Sequence, residues 1–406
     1  MTKTLEVRLG DMHVGYLTNL DDDRTFFAFS DDYREMENRP VLTQGLLTDT
    51  GELVIEERAV NRLAPPYFSN LLPEGGMRTL IARLLDVSAD RDFPLLEHLG
   101  DDHLIGAVRL LPAQSVPREP TNPEVLALAL PGVQMKLSAV LTEDDALTIP
   151  VRGQGGEWIV KVASGKIPGL VENEYSMLKF AAMCGIEVPA IRLLDVSSVH
   201  GIPPTFDAQG KALAIRRFDR DGDKRIHAED FNQVFNQHPG KKYDNVSYGN
   251  VAKKIFDRVG YEDAREFVRR VAYAAMIGNG DMHLKNWSLI YPDGRTPRLA
   301  PAYDYVSTLP YDLNHNLGLS FGGSKSLNIF SDDRLAKFAQ DAQLTFKIVK
   351  KDVLDMAERV SEAWKTAHLP MLEQHQAVLA KHIASATNPG YEFDPRRRRA
   401  LNEITG

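Results

Sequence analysis

The sequence predicts an α+β protein, in which segments rich in β-strands come first and a long helical region follows. Two patterns in the distribution of apolar residues support this prediction. Apolar and polar residues alternate over short stretches such as 5–9, which is the two-residue period of a strand. After residue 230, apolar residues recur every three or four positions, which is the period of an amphipathic helix.

The composition is typical of a globular protein with about two or three domains. Of the 406 residues, 43% are hydrophobic and 26% are charged. The formal net charge of −8 argues against attraction of the whole surface to nucleic acid. No signal segment or run of about 18 apolar residues is present, so we expect a soluble cytoplasmic protein without a membrane partner. The single cysteine, Cys184, excludes an internal disulfide and is expected to be buried.

Residues 1–112 are predicted to form an N-terminal domain that begins with a small β-meander. Its strands are expected at 5–9, 13–17 and 26–29, with turns between them. Helical periodicity follows, and the aromatic and leucine residues of 67–73 have the spacing of core residues. Four prolines between 112 and 123 indicate a linker, where we place a domain boundary. We expect this domain to dock on the domain that follows.

Two further domains are predicted after the linker. Residues 123–220 should form a mostly antiparallel sheet with one helix at 171–185. The strands of that sheet are expected at 133–140, 158–163, 191–196 and 212–218. Residues 221–406 are expected to be helical around a short strand–loop–strand segment at 286–308. The long helices of this last domain are expected at 248–259, 261–277 and 347–368.

The strongest chemical signal lies in residues 278–286, which read Gly-Asn-Gly-Asp-Met-His-Leu-Lys-Asn after a long apolar helix. Asp281 and Asn286 are spaced so that a carboxylate can orient an attacking hydroxyl while an amide oxygen binds Mg²⁺. A second carboxylate, Asp304, follows another short strand and is expected to be the main metal ligand. Each acid alone is typical of a turn cap or a surface carboxylate. Their combination indicates phosphoryl transfer.

A lysine within an apolar strand adds to this signal. Lys161 lies in the strand predicted at 158–163, where its ammonium group needs an anion. Glu174, in the following helix, is placed to pair with it, as a strand lysine and a helix glutamate do in protein kinases. A lysine that faces solvent is the alternative. Upstream, the glycine of Leu-Pro-Gly-Val-Gln-Met-Lys at 130–136 would let the backbone approach phosphates.

Seven motifs in the same order resemble the HipA family across essentially the whole chain. They are Phe-Ser-Asn-Leu-Leu-Pro-Glu at 68–74, Pro-Gly-Val-Gln-Met-Lys at 131–136, Ile-Val-Lys at 159–161, Asn-Glu-Tyr at 173–175, Arg-Phe-Asp-Arg at 217–220, Gly-Asp-Met-His-Leu-Lys-Asn at 280–286 and Pro-Ala-Tyr-Asp at 301–304. The resemblance implies a two-lobed, protein-kinase-like fold with a β-rich N-terminal subdomain and an all-α C-terminal lobe. It also implies a serine/threonine kinase that uses ATP and Mg²⁺ and is the toxin of a type II toxin–antitoxin pair.

The resemblance further implies a role for each matched residue. Asp281 would be the catalytic base, with Lys161 and Glu174 as the accompanying ion pair. Asn286 and Asp304 would bind the metal ion. The residues that would contact the nucleotide are Gly132, Val133, Gln134, Lys136, Lys161, Arg216, Phe218, His283 and Asn286. For His283, packing within the loop is the alternative.

The substrate and the partner are also implied by the resemblance. The substrate would be a translation component such as an aminoacyl-tRNA synthetase, and the partner would be a HipB-like DNA-binding antitoxin that links the chain to DNA. Two other functions stay open. A phosphoinositide-like or small-molecule kinase shares the catalytic-loop pattern but predicts a surface that faces a membrane. A nucleotide-binding pseudokinase scaffold predicts a broken metal site.

Two positions depart from the family pattern. Ala129 stands where family members carry a serine whose autophosphorylation ejects the phosphate-binding loop. Either the protein is regulated otherwise, with Ser138 as the nearest hydroxyl, or the sequence carries a serine-to-alanine change. Arg216 stands at the hinge, where an acidic or apolar residue is expected.

Overall fold

The fold was analysed in a computed structural model, which describes residues 2–55, 58–100, 104–113, 136–142, 146–150, 156–163, 167–203, 208–311 and 315–388. These ranges contain eighteen strands and eleven α-helices, so the predicted α+β class is confirmed. The chain divides into two compact units. The first unit comprises 1–179, 187–245 and 283–304, and the second comprises 180–186, 246–282 and 305–406. The domain boundaries predicted at 112–123 and 220 stay predictions.

The N-terminal region of the first unit is built on a five-stranded antiparallel sheet with the order β4-β3-β2-β1-β5. Its strands are β1 Lys3–Leu9, β2 Met12–Asn19, β3 Arg24–Phe29, β4 Val60–Asn61 and β5 Val108–Pro112. Its helices are α1 Asp31–Glu35, α2 Pro66–Ser69, α3 Gly75–Leu84 and α4 Asp92–Leu99. The predicted meander is confirmed, and the 67–73 segment is core, since Phe68 and Leu72 are fully buried.

A six-stranded sheet follows in the same unit, with the order β10-β7-β6-β8-β11-β9. Its strands are β6 Lys136–Leu141, β7 Leu147–Thr148, β8 Trp158–Val162, β9 Ile191–Asp195, β10 Val199–His200 and β11 Lys211–Arg216. Helix α5 spans Leu170–Met183. One hydrophobic core extends from Leu5 in β1 to Ala214 in β11. The N-terminal sheet therefore docks on the second sheet, as the sequence predicts.

The rest of the first unit consists of short elements. They are β12 Arg220–Asp221, β13 Lys224–Arg225, β14 His227–Asp230, α6 Phe231–Val234, β15 Ser288–Tyr291 and β16 Arg298–Leu299. Strands β14, β15 and β16 form a three-stranded antiparallel sheet. Helix α6 begins with a capping box, in which the Asp230 carboxylate accepts from the Gln233 backbone and the Gln233 side chain accepts from the Asp230 backbone. This sheet flanks the segment that carries residues 283–286.

The second unit is mainly helical. Its remaining helices are α7 Tyr248–Arg258, α8 Tyr261–Met276, α9 Asp332–Ala342, α10 Phe346–Trp364 and α11 Glu373–Ala386. The implied all-α lobe needs a correction, because β17 Asn316–Phe321 and β18 Ser324–Ser326 form a hairpin. Gly322 and Gly323 both adopt positive φ in its two-residue turn, which suits a hairpin. No helix among the described residues is long and apolar enough to cross a membrane.

The single cysteine lies just after α5, in the second unit. Cys184 is 2% exposed, as the sequence predicts. Burial raises the pKa of its thiol to about 12. The thiolate, which is the reactive form, is therefore scarce at neutral pH.

Candidate active site

Lys161 is the centre of a buried charged cluster in the first unit. It lies in β8, which is hydrogen-bonded to β6 on one side and to β11 on the other. Its ammonium group donates to the carboxylates of both Glu174 and Asp304, and its side chain is only 3% exposed. The ion pair with Glu174 was predicted from the sequence, whereas the contact with Asp304 was not. The catalytic roles of these residues stay predictions.

A second lysine joins this cluster from the neighbouring strand. Lys136 in β6 lies directly opposite Lys161 in the strand register, and two like charges in this arrangement repel each other. The Lys136 ammonium is 3.4 Å from the Asp304 carboxylate, which lowers that repulsion. Burial lowers the pKa of Lys136. Two lysines and two carboxylates, Glu174 and Asp304, therefore meet in this cluster, and Asp304 contacts both lysines.

The charges of the cluster are fixed by one another. Burial alone would raise the pKa of Asp304, but Lys136 and Lys161 hold it well below its usual range. Burial would lower the pKa of Lys161, but the two carboxylates raise it above the ordinary lysine value. Asp304 therefore stays ionised and Lys161 stays protonated across the neutral range.

The backbone of Asp304 is held in an unusual conformation. Its φ angle is +55°, in the left-handed region that non-glycine residues rarely adopt. The preceding residue, Tyr303, is anchored through its hydroxyl, which lies 2.5 Å from the Ser288 hydroxyl and donates to the Lys285 carbonyl at 3.0 Å. A non-glycine residue in this conformation costs about 1–3 kcal/mol. The hydrogen bonds of Tyr303 help to hold Asp304 in it. No role was predicted for Tyr303, which the sequence marks only as part of the motif at 301–304.

Asn286 and His283 lie at the two ends of one short turn. The Asn286 backbone donates to the His283 carbonyl at 3.0 Å, and both side chains are largely buried. The His283 ring meets the Tyr243 ring edge to face, with centroids 5.0 Å apart. Burial, helped by Lys242 and Lys285, lowers the pKa of His283 to about 3. His283 is therefore neutral at physiological pH.

The predicted hinge residues divide into two sets. Phe218 lies beside the Tyr303 ring, with centroids 5.7 Å apart. The guanidinium of Arg216 is half-exposed and pairs with Glu157 at 3.7 Å. The charged residues of the same motif contact one another and the N-terminal region. Asp219 accepts hydrogen bonds from Arg217, from Arg220 and from the Gly106 backbone. These arginines join the hinge to the N-terminal region.

The loop that carries Asp281 belongs to the second unit. Asp281 is exposed, and its backbone N–H donates to the Asn279 side chain at 3.0 Å. The Thr308 hydroxyl accepts from the Gly280 backbone at 3.1 Å and donates to the Gly278 carbonyl at 3.0 Å. Neutral hydrogen bonds therefore fix the backbone immediately before Asp281.

The backbone immediately after Asp281 is fixed by packing. The Tyr248 hydroxyl donates to the Met282 carbonyl at 2.7 Å. A Cβ atom added to Gly318 in β17 would lie 2.8 Å from the Met282 carbonyl, a distance that real structures do not tolerate. Only glycine fits there. A glycine within a strand is the signal that could have pointed to this close approach.

Several predicted positions cannot be placed. Gly132, Val133, Gln134 and Ala129 lie outside the described residues. Ser138, the alternative hydroxyl, is 5% exposed in β6 and accepts from the Gly156 backbone at 2.9 Å. A kinase could phosphorylate this side chain only after local opening of the sheet.

Comparisons with known proteins agree on one family. Residues 5–111 match the HipA N-terminal domain and residues 128–367 match the HipA-like C-terminal domain. Two proteins of Sinorhizobium fredii are similar. "Putative kinase Y4dM" is 42% identical, and the match covers 90% of this chain and 93% of that protein. "Putative kinase Y4mE" is 31% identical, and the match covers 83% of this chain and 85% of that protein. The fold is shared with the Shewanella oneidensis toxin–antitoxin complex of HipA, HipB and operator DNA, at a TM-score of 0.74, 21% identity and coverage of 95% and 96%.

Proposed function

The chain belongs to the HipA family of kinases, and from this premise we propose that it transfers the γ-phosphoryl group of ATP to a serine or threonine of a protein. The observation that supports this most is the buried Lys161, held between Glu174 and Asp304 with Lys136 across the sheet. A buried site with two lysines suits a polyanion such as the triphosphate of ATP. Phosphate oxygens would complete the contacts of Lys161 when the nucleotide binds.

The residues fit a magnesium ion that is shared with the nucleotide. Asp304 and Asn286 offer a carboxylate and an amide oxygen, which are hard ligands, and Mg²⁺ usually keeps water and phosphate oxygens as its other ligands. Among the described residues, no group of three or more His, Cys, Asp and Glu side chains is arranged to hold a metal ion. The bound ion would neutralise charge on the β- and γ-phosphates.

Asp281 would handle the proton of the substrate. Its exposed carboxylate orients the serine or threonine hydroxyl and accepts its proton, while the hydroxyl oxygen bonds to the γ-phosphorus. The bond between that phosphorus and the bridging oxygen breaks, and ADP leaves. Lys161 and Lys136 supply positive charge where the phosphates lie. Most of the rate enhancement would come from positioning and electrostatics.

The partners are proposed from the resemblance. A HipB-like antitoxin would bind the chain and link it to DNA, and the name of the Shewanella structure describes a complex of HipA, HipB and operator DNA. The protein substrate would be a translation component, with an aminoacyl-tRNA synthetase as the leading class, and the cytoplasm would be the site of action. The scaffold alternative predicts a broken metal site, whereas Asp281, Asn286 and Asp304 are all present in the sequence.

The test is a phosphorylation assay with a matched control. The purified chain, an Asp281→Asn variant and an Asp333→Asn variant are each incubated with Mg-ATP and a bacterial lysate. Asp333 is also an exposed acid of the second unit, in α9. We expect new phosphoserine or phosphothreonine on one or two proteins with the wild type and Asp333→Asn, and none with Asp281→Asn, by mass spectrometry. If all three proteins bind ATP but give equal phosphorylation, the proposal is contradicted. New phosphorylated lipids in the lysate would favour a lipid kinase.

A further inference from the structure

Lys285, in the turn between His283 and Asn286, is directed toward the N-terminal region. Its side chain is 6% exposed, and its ammonium group donates to the Asn70 carbonyl at 2.9 Å and to the Asn70 side-chain oxygen at 3.0 Å. It also pairs with Asp230 at 3.2 Å and with Glu74 at 3.4 Å. These partners together satisfy a buried ammonium, which would otherwise be costly.

Asn70 is fixed in one orientation by its other hydrogen bonds. Its side-chain nitrogen donates to the Pro66 and Gln237 carbonyls, each at 2.8 Å. Its side-chain oxygen accepts from the Asn232 side chain at 2.9 Å as well as from Lys285. Both donors and both acceptor sites of this amide are used. Asn70 therefore presents its oxygen to Lys285 in a fixed position.

Glu74 connects two segments that flank the turn. One of its oxygens pairs with Lys285, and the other pairs with Lys242 at 3.1 Å. The carbonyl of Lys242 in turn accepts from the Leu284 backbone at 3.1 Å. A single carboxylate from the N-terminal region thus fixes both the side chain of residue 285 and the loop that binds the backbone of residue 284.

The network reaches both proposed metal ligands. Asn286 directly follows Lys285 in the chain. The Lys285 carbonyl accepts from the hydroxyl of Tyr303, the residue that precedes Asp304. Buried ion pairs of this kind add little net stability compared with apolar packing, but they define one geometry. A role in geometry therefore explains the network better than a role in stability.

We propose that Asn70 and Glu74 are positioning residues for phosphoryl transfer, which hold Lys285 and through it set the orientation of Asn286 and Asp304. The inference rests on the proposed function. It makes the N-terminal region part of the catalytic apparatus and not only a docking surface. Because neither Asn70 nor Glu74 is among the residues proposed to contact the nucleotide, its loss should lower the rate of transfer more than the affinity for ATP.

The test compares Glu74→Gln with Glu97→Gln in the full-length protein. Glu97 also forms an ion pair with a lysine of the N-terminal region, Lys3, at 2.9 Å, and among the described residues no hydrogen bond or ion pair joins it to the turn that holds Lys285. We expect Glu74→Gln to lower kcat about 10-fold, since small misplacements at a reacting centre have effects of this size or larger. The Kd of a fluorescent ATP analogue should change less than about twofold, and Glu97→Gln should change neither value.

Hydrogen–deuterium exchange of the nucleotide-free protein provides a readout that needs no activity. Peptides covering 279–290 should exchange faster in Glu74→Gln and in Lys285→Met than in the wild type, with Lys285→Arg closer to the wild type. Unchanged exchange with an unchanged kcat would overturn the inference. So would parallel losses of kcat, ATP affinity and melting temperature, since these indicate general unfolding. If the wild type transfers no phosphate, the proposed function fails, and the exchange result still decides whether Glu74 orders the turn.

Discussion

In the first unit, Lys161 and Asp304 are held by opposite charges that are buried together, whereas in the second unit the loop of Asp281 is held by uncharged hydrogen bonds and close packing. A charged cluster suits the residues that would meet phosphate, because it keeps their ionisation fixed. Uncharged hydrogen bonds and close packing suit the loop of Asp281, because they fix its backbone and leave the exposed carboxylate available to a substrate. The first region should therefore be sensitive to loss of charge, and the second to changes in shape.

Removal of the central charge should have the largest effect. In Lys161→Met, Glu174 loses its hydrogen-bonded cation, and we expect the free energy of unfolding to fall by about 3–5 kcal/mol, with loss of phosphoryl transfer. Urea denaturation followed by tryptophan fluorescence would measure this. As a control, Lys211→Met removes an exposed ion pair with Asp195 from the same sheet and should cost less than about 1 kcal/mol. If Lys161→Met and Lys211→Met lowered the free energy of unfolding equally, a special role for the buried charge would be contradicted.

A buried acid with neutral partners should behave differently from this cluster. Glu229 is fully buried and accepts from the Thr43 hydroxyl, the Gln44 backbone and the Tyr291 hydroxyl. Burial raises the pKa of Glu229 to about 7. The folded state therefore binds this proton more tightly than the unfolded state does, so the contribution of Glu229 to stability should be greatest below about pH 4.5 and fall by about 3 kcal/mol as the pH rises to about 7.

The matched variant for this prediction is Glu229→Gln, which cannot ionise. Subtracting its pH profile of unfolding free energy from that of the wild type cancels the contributions of His227 and other groups. The difference should show the fall between about pH 4.5 and 7 and be flat above that range. A flat difference throughout would mean that the neutral donors stabilise the buried carboxylate as well as water does in the unfolded chain, and would contradict the prediction.

A change of volume should perturb the second region without altering any charge. In Gly318→Ala, the new methyl group meets the Met282 carbonyl at 2.8 Å, and we expect a loss of about 1–3 kcal/mol with a lower transfer rate. Thermal melting and the phosphorylation assay would measure both. Gly240→Ala adds the same methyl group where no atom lies within 4 Å and should be close to neutral. An unperturbed Gly318→Ala would show that β17 can move away from the loop.

The smallest effect is expected from one hydroxyl. Thr308→Val keeps the shape of the side chain but leaves Gly280 without its acceptor, which should cost about 1–2 kcal/mol. Faster hydrogen–deuterium exchange at 278–282 would locate the effect. Thr308→Ser retains the hydroxyl and should behave more like the wild type than the valine variant does.

The parts of the site that the sequence predicted are those with a local pattern. Lys161 and Glu174 are 13 residues apart, in a strand and a helix that each show their own periodicity. The Asn70 contact with Lys285 spans 215 residues, and no periodic pattern encodes such a pairing. Strand β5 was missed because it ends at Pro112, which reads as the start of a linker, and its partner β1 lies a hundred residues away. Local signals predict elements, and packing between distant segments decides which side chains meet.

The burial of Cys184 has a practical consequence for spectroscopy. Because burial both shields this thiol and raises its pKa to about 12, thiolate is scarce at pH 7, and maleimide dyes should leave the native cysteine almost unlabelled. Cysteines introduced at exposed sites could then carry a donor and an acceptor fluorophore without removal of the native residue. Single-molecule energy transfer between such labels could then be recorded with and without nucleotide.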